Sequence, residues 1–112
     1  MKAEGDAAED LALAHLLAKG CRLEQRNYRC RFGEIDLIMV DRGTLVFVEV
    51  RKRSDSRFGS AAESITAAKR NKLVITAQHY LARSGAERAC RFDAVLIDGQ
   101  GRVEWLRDAF GG

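Results

Sequence analysis

Two acids sit inside runs of residues that otherwise make buried strands. Asp36 lies in Gly33-Glu34-Ile35-Asp36-Leu37-Ile38, and Glu49 in Val46-Phe47-Val48-Glu49-Val50-Arg51-Lys52-Arg53. The β-branched and aromatic neighbours favour extended chain. A charge taken out of water is costly unless it is paired or binds a metal. Carboxylates on adjacent strands are a natural seat for a hard divalent ion, Mg²⁺ or Mn²⁺, which takes one or two carboxylates and completes its shell with waters and phosphate oxygens. Such an ion polarises a phosphoryl oxygen and activates water for in-line attack. Arg51, two positions past Glu49, projects from the same face and can stabilise negative charge as it develops. Asp36 followed by Glu49-x-Arg51 is minimal equipment for hydrolysing a phosphodiester.

The elements that position these groups can be read from the intervening turn. Asp41-Arg42-Gly43-Thr44 is a hairpin signal with Gly in the tight position. A two-residue loop at Arg42-Gly43 pairs Asp41 with Thr44. Counting outward from it sets Asp36 opposite Glu49 and Glu34 opposite Arg51. Directly opposed Cβ atoms lie about 4.5–5.5 Å apart, and like charges there repel. The pleat predicts one wholly apolar face, made of Ile35, Leu37, Met39, Val46, Val48 and Val50. The other face carries Glu34, Asp36, Ile38 and Val40 with Leu45, Phe47, Glu49 and Arg51. Apolar near the turn and charged at its far end, that face predicts a sheet covered on both sides, with a cleft at the charged margin.

Upstream, the Ala- and Leu-rich segment Ala3 to Lys19 predicts a helix closed by Gly20. A short strand is expected over Leu23 to Tyr28, then the hairpin over about residues 33–52. Ser54 to Gly59 reads as a loop. Ser60-Ala61-Ala62-Glu63 matches a capping box, which places Ser60 at the N-cap of a helix running to about Arg83. Arg91 to Ile97 and Val103 to Leu106 read as strands separated by the turn Asp98-Gly99-Gln100-Gly101. The strand at Arg91 can return beside the hairpin as a parallel neighbour. The expectation is an α/β chain with a mixed β-sheet flanked by helices on both faces.

The 112 residues predict one domain, residues 1–112, with a modest core. A formal charge of +3 permits a nucleic-acid partner without establishing one. Basic residues cluster at Arg51, Lys52, Arg53 and Arg57, and again at Lys69, Arg70 and Lys72. A charge run most often marks a solvated face, although beside an acidic metal site a phosphate-binding face is credible. Three cysteines without C-x-x-C spacing read as thiols of a reduced, cytoplasmic protein. His15 and His79 are isolated and read as surface or packing residues. Trp105, Phe110 and Tyr80 are scattered, which suits packing better than a base-stacking platform. Asp93 reads as a strand-start residue bonded to backbone.

Together these residues resemble the YraN family, bacterial endonuclease-like proteins of the restriction-endonuclease-like PD-(D/E)XK superfamily, similar to archaeal Holliday-junction resolvases. The resemblance covers nearly the whole chain. It includes Ala8-Glu9, Asn27-Tyr28-Arg29, the two acid-bearing strands, Phe58-Gly59, Lys69 and Arg91-Phe92-Asp93. It implies an αβββαβ core, Asp36 and Glu49 as metal ligands, the Val50 carbonyl facing the ion, and a further acid at Glu9. It also implies a DNA substrate, branched or otherwise structured, in preference to RNA, and a symmetric homodimer. Glu34 belongs to the Gly-Glu-Ile-Asp signature. One departure stands out: the motif ends in Lys, and this chain has Arg51. Arginine stays protonated and cannot act as a general base. Lys69 on the following helix is the candidate to supply an ammonium group instead.

Three readings follow: a Mg²⁺- or Mn²⁺-dependent nuclease; a nucleic-acid-binding module of nuclease fold that has lost efficient catalysis through Arg51; and a structural protein whose acids only form ion pairs.

Overall fold

The computed structural model describes residues 4–52, 66–84 and 87–109. Its elements are α1 (Glu4–Ala18), β1 (Arg22–Cys30), β2 (Gly33–Asp41), β3 (Thr44–Lys52), α2 (Ala67–Ser84), β4 (Cys90–Ile97) and β5 (Val103–Leu106). The five strands form one sheet in chain order. β1–β2, β2–β3 and β4–β5 are antiparallel, and β3–β4 is parallel, as the return of the chain through a helix requires. The result is a mixed α/β fold with a five-stranded mixed sheet.

α1 ends where Gly20 takes φ +100°. The Gly20 amide donates to the Leu17 carbonyl and the Cys21 amide to that of Leu16, so carbonyls of the last turn are satisfied as the helix closes. Ala8, Ala12 and Leu16, spaced four apart, form the buried stripe of α1 and pack on Leu37, Met39, Val46, Val48, Val95 and Ile97. Leu73, Ala77 and Tyr80 of α2 pack on Ile38, Val40, Leu45 and Phe47. Successive strand residues point to opposite faces, so the two helices cover opposite sides of the sheet. The expected two-sided burial is what the structure has.

Three expectations are corrected. Ile35 packs with Tyr28 and the α2 residues, not with Leu37 on the α1 side. The pleat loses its alternation between Ile35 and Leu37. The neighbouring strand does the same, with Tyr28 on the α2 side and Arg26 reaching Glu9 of α1. Between them Asn27 adopts φ +55°, a left-handed conformation that Asn tolerates and that interrupts regular strand geometry. Second, the described helix α2 opens at Ala67. Thr66 caps it, its Oγ1 accepting the Lys69 amide at 3.2 Å. The Ser60 cap, the Phe58-Gly59 pair, and Arg53 and Arg57 lie outside the described residues. Third, the predicted strand over Leu23 to Tyr28 extends from Arg22 to Cys30.

Gly33 opens β2 where the chain passes closest to α2. A Cβ there would lie 2.9 Å from Oγ1 of Thr76, a fully buried side chain that donates to the Lys72 carbonyl. Only a residue without a side chain lets the start of β2 approach the helix this closely.

Candidate active site at the open end of the hairpin

The β2–β3 pairing runs in the predicted register from Asp41–Thr44 to Leu37–Val48 and stops one pair short of Asp36 and Glu49. Past that point the Asp36 side chain replaces the ladder. Its Oδ2 accepts the Val50 amide at 2.8 Å. The hairpin therefore opens at its acidic end, and two cavities meet there. On the α2 side lies a space of about 360 Å³ lined by Gly33, Glu34, Asp36, Glu49, Val50, Lys69, Lys72 and Leu73. On the α1 side lies one of about 400 Å³ lined by Ala8, Glu9, Asp36, Val50, Arg51 and Lys52. Asp36 and Val50 belong to both.

Burial pushes the Asp36 carboxyl up to about 7, the negative charge of Glu49 adds to that, and the bond from the Val50 amide opposes it. Burial also raises Glu49, against the pull of the Lys69 and Arg51 cations and a hydrogen bond with Asp36. Burial and mutual proximity make it costly for the pair to hold two negative charges at once.

Two cations converge on one oxygen of Glu49. Lys69 Nζ and Arg51 Nη1 each lie 3.6 Å from Oε2. Lys69, expected from the sequence as a substitute ammonium group, is thus brought to the acids from α2. Its side chain is 46 % exposed, so the pair contributes little to stability, and its position bears on the site more than on the fold. Lys72 lines the same cavity, and Lys52 the other. Arg70 is half-buried on α2 and is not among the lining residues.

Glu34 does not face Arg51. It pairs with Arg29 of β1, its register neighbour, at 3.2 Å. The β2–β3 ladder has ended before Glu34, so β1 is the strand within its reach.

Glu9 is buried at 7 % exposure and lines the α1-side cavity with Asp36. Its Oε1 lacks a hydrogen bond and lies 3.6 Å from Arg26 Nε, which also lacks one. Among the described residues no three His, Cys, Asp or Glu side chains gather into a metal-binding group. Asp36 and Glu49 together fit the needs of Mg²⁺, which takes one or two carboxylates. Glu9, with its orphaned oxygen, is the second acid of the α1-side cavity, beside Asp36.

Sequence reasoning underrated two polar groups. His79 is not isolated: its Nδ1 meets the Tyr28 hydroxyl at 2.5 Å. Asp93 is fully buried and bonds the Asp108 amide, as a backbone-binding residue should, but it also takes Arg91 through Nε and Nη2 and the Trp105 indole N–H. The pair Arg91-x-Asp93 at a strand start carried that signal. The three cysteines are free thiols.

The fold and site define a mixed α/β protein with an acidic pair and basic side chains at the end of a split hairpin. The model of the "Uncharacterised protein family UPF0102" matches residues 8–97, and the chain belongs to that family. It is 56 % identical over 109 residues to a UPF0102 protein of Nitrosomonas europaea, covering 96 % of this chain and 92 % of the relative. It is likewise 56 % identical over 113 residues to one from Methylobacillus flagellatus, covering 98 % of each. A relative from an Acidovorax species is 57 % identical over 113 residues, covering 97 % of this chain and 85 % of that one. Among the described residues no helix is long and apolar enough to cross a membrane.

Proposed function

We propose that the chain is a metal-dependent endonuclease that hydrolyses DNA phosphodiesters, with branched or otherwise structured DNA as its substrate. The observation that carries this reading is the half-buried Asp36–Glu49 pair, with Lys69 and Arg51 beside Glu49, in a cavity that also presents Lys72. The order α1-β1-β2-β3-α2-β4 agrees with the restriction-endonuclease-like αβββαβ core that the reading requires.

Asp36 and Glu49 would hold Mg²⁺ or Mn²⁺, with Glu9 reaching the site from α1. When bound, the ion would polarise a phosphoryl oxygen and lower the pKa of bound water. The protein's own groups do the rest. The Val50 amide fixes the rotamer of Asp36. Lys69 and Arg51 hold positive charge beside Glu49, where a scissile phosphate would add negative charge. Arg51 cannot take a proton from water, so its part is electrostatic. Lys52 and Lys72, which line the two cavities, supply charge for the flanking backbone.

The test is a titration of Mg²⁺ and Mn²⁺ with cleavage assays on linear duplex, single-stranded and four-way DNA. Cleavage that depends on the ion and vanishes in both Asp36→Asn and Glu49→Gln supports the reading. Salt-sensitive binding without cleavage replaces it with the second one, a binding module disabled by the Arg51 substitution. Neither binding nor cleavage defeats both.

A further inference from the structure

At the turn end of the hairpin the chain builds a second charged cavity that the acidic site does not use. Asp41 stands five residues from Asp36, about 17 Å along an extended strand. The cavity, about 450 Å³, is lined by Lys19, Asp41, Arg42, Thr44, Arg91 and Arg107. That volume is within the range of small-molecule sites. The lining residues come from the end of α1, the β2–β3 turn, the start of β4 and the residue after β5, so four separate parts of the fold converge.

Cations dominate the charge. Four basic side chains line the space and Asp41 is the one acid among the lining residues. Arg91 is fixed in place: its Nε and Nη2 bond the fully buried Asp93, and Nη2 also reaches Asp41 at 3.0 Å. Both acids are thereby engaged with Arg91. Among the described residues no carboxylate pairs with Lys19, Arg42 or Arg107. Arg107 instead lies over the Trp105 ring, 3.9 Å from its centre, while the indole N–H is held by Asp93 at 2.8 Å. Arg42 sits at φ +54° in a two-residue turn that Asn would suit better, a conformation uncommon for a long side chain.

We propose that the cavity bounded by Lys19, Arg42, Arg91 and Arg107 is a binding site for a phosphate group. Guanidinium forks match phosphate oxygens in geometry, and hydrogen bonds to ionised acceptors are the strong ones. The phosphate belongs either to a nucleic-acid backbone or to a free phosphate ester, both of which present the same oxygens. The site stands independently of the acidic pair, so its success or failure leaves the nuclease reading unaffected.

Trp105 is the chain's one tryptophan and serves as the reporter. A phosphate that engages Arg107 draws the guanidinium from the indole face and changes its emission. Inorganic phosphate is titrated in metal-free buffer containing chelator, against chloride at matched ionic strength. A saturable change in the millimolar range or below, specific to phosphate, is expected. Arg42→Asn should weaken it by about fivefold or more while leaving the melting temperature unchanged or higher, because Asn accepts the left-handed turn position. Lys19→Ala should weaken it similarly. The source is resolved by competition: a short DNA duplex that displaces phosphate more effectively than a nucleoside diphosphate assigns a backbone phosphate, and the reverse order assigns a free ester. No response beyond chloride, or a response that Arg42→Asn and Lys19→Ala both leave intact, overturns the proposal.

Discussion

The Val50 amide donates to the Asp36 carboxylate at the point where β2 and β3 stop pairing. One side-chain bond therefore stands in for a rung of the ladder. It opens the hairpin, holds the acid in a fixed rotamer, and places Glu49 on the adjacent strand beside it. A carboxylate bound to a backbone N–H would ordinarily have a lowered pKa. Here burial and Glu49 outweigh that bond, and the group is raised to about 7.

That balance has a consequence for stability. An acid with a higher pKa in the folded than in the unfolded state binds its proton more tightly when native, so stability falls as pH rises from the ordinary aspartate value of 3.8 to about 7. Glu49, also raised, acts in the same direction. The metal-free protein should lose melting temperature across this window and level off above it. Asp36→Asn should flatten the slope and stabilise the metal-free protein above neutral pH. Thermal unfolding in chelator, from about pH 4 to about pH 8, checks both. Parallel profiles for variant and wild type would sink the assignment.

Lys69 is partly exposed and makes a long contact with Glu49. Lys69→Ala should leave the melting temperature nearly unchanged, since exposed pairs contribute about 0–1 kcal/mol. It should lower metal-dependent cleavage by about tenfold or more, in keeping with loss of a positioned electrostatic group. Steady-state cleavage on the preferred DNA gives the second number. Cleavage that survives Lys69→Ala at full rate removes Lys69 from the site, and a gain on Arg51→Lys would show that the arginine is the limiting group.

Gly33→Ala should destabilise the fold by about 1–3 kcal/mol, because the new methyl meets the buried Thr76 hydroxyl. Thr76→Ala removes that hydroxyl. The double variant should therefore be more stable than the sum of the single changes, as contacting residues are not additive. Urea unfolding of the four proteins measures the coupling, and strict additivity would mean that space is not what fixes this glycine.

Asp93 holds Arg91, Trp105 and the Asp108 amide from a fully buried position. Asp93→Asn leaves Arg91 paired only with Asp41, and should cost about 3–5 kcal/mol, the range for breaking a buried ion pair on one side. Denaturant midpoints report it. A loss below about 1 kcal/mol would place Asp93 among the dispensable surface pairs.

Much of this arrangement was legible in the sequence, for identifiable reasons. The Arg42-Gly43 turn between two apolar runs set the hairpin register, and Gly20 set the end of α1. Where Asp36, Glu49 and Lys69 meet could be anticipated because acids in strand-like runs are rare enough to be informative. The placement of Glu34 and Ile35 could not. It depends on the left-handed Asn27 on β1 and on a side chain replacing a ladder bond, and neither leaves a mark in periodicity. The Asp93 network was read only in part: Arg91, two residues before it, carried a signal, but Trp105 and the Asp108 amide are distant in sequence.

The sheet's order repeats the order of the chain, and only β3 and β4 are joined by a long excursion through α2. Contacts close in sequence form quickly, whereas a long closure pays its entropy before it gains contacts. The meander from β1 to β3 is therefore the part of the molecule suited to assemble early. Asp36 and Glu49 lie within it, and Lys69 is delivered later by the returning helix. On that order Arg51, on β3, accompanies the acids within the meander, and Lys69 is the cation that joins them last. Kinetic effects of substitutions in β2 and β3 on folding, set against effects in α2 on unfolding, would show the two steps as separate events.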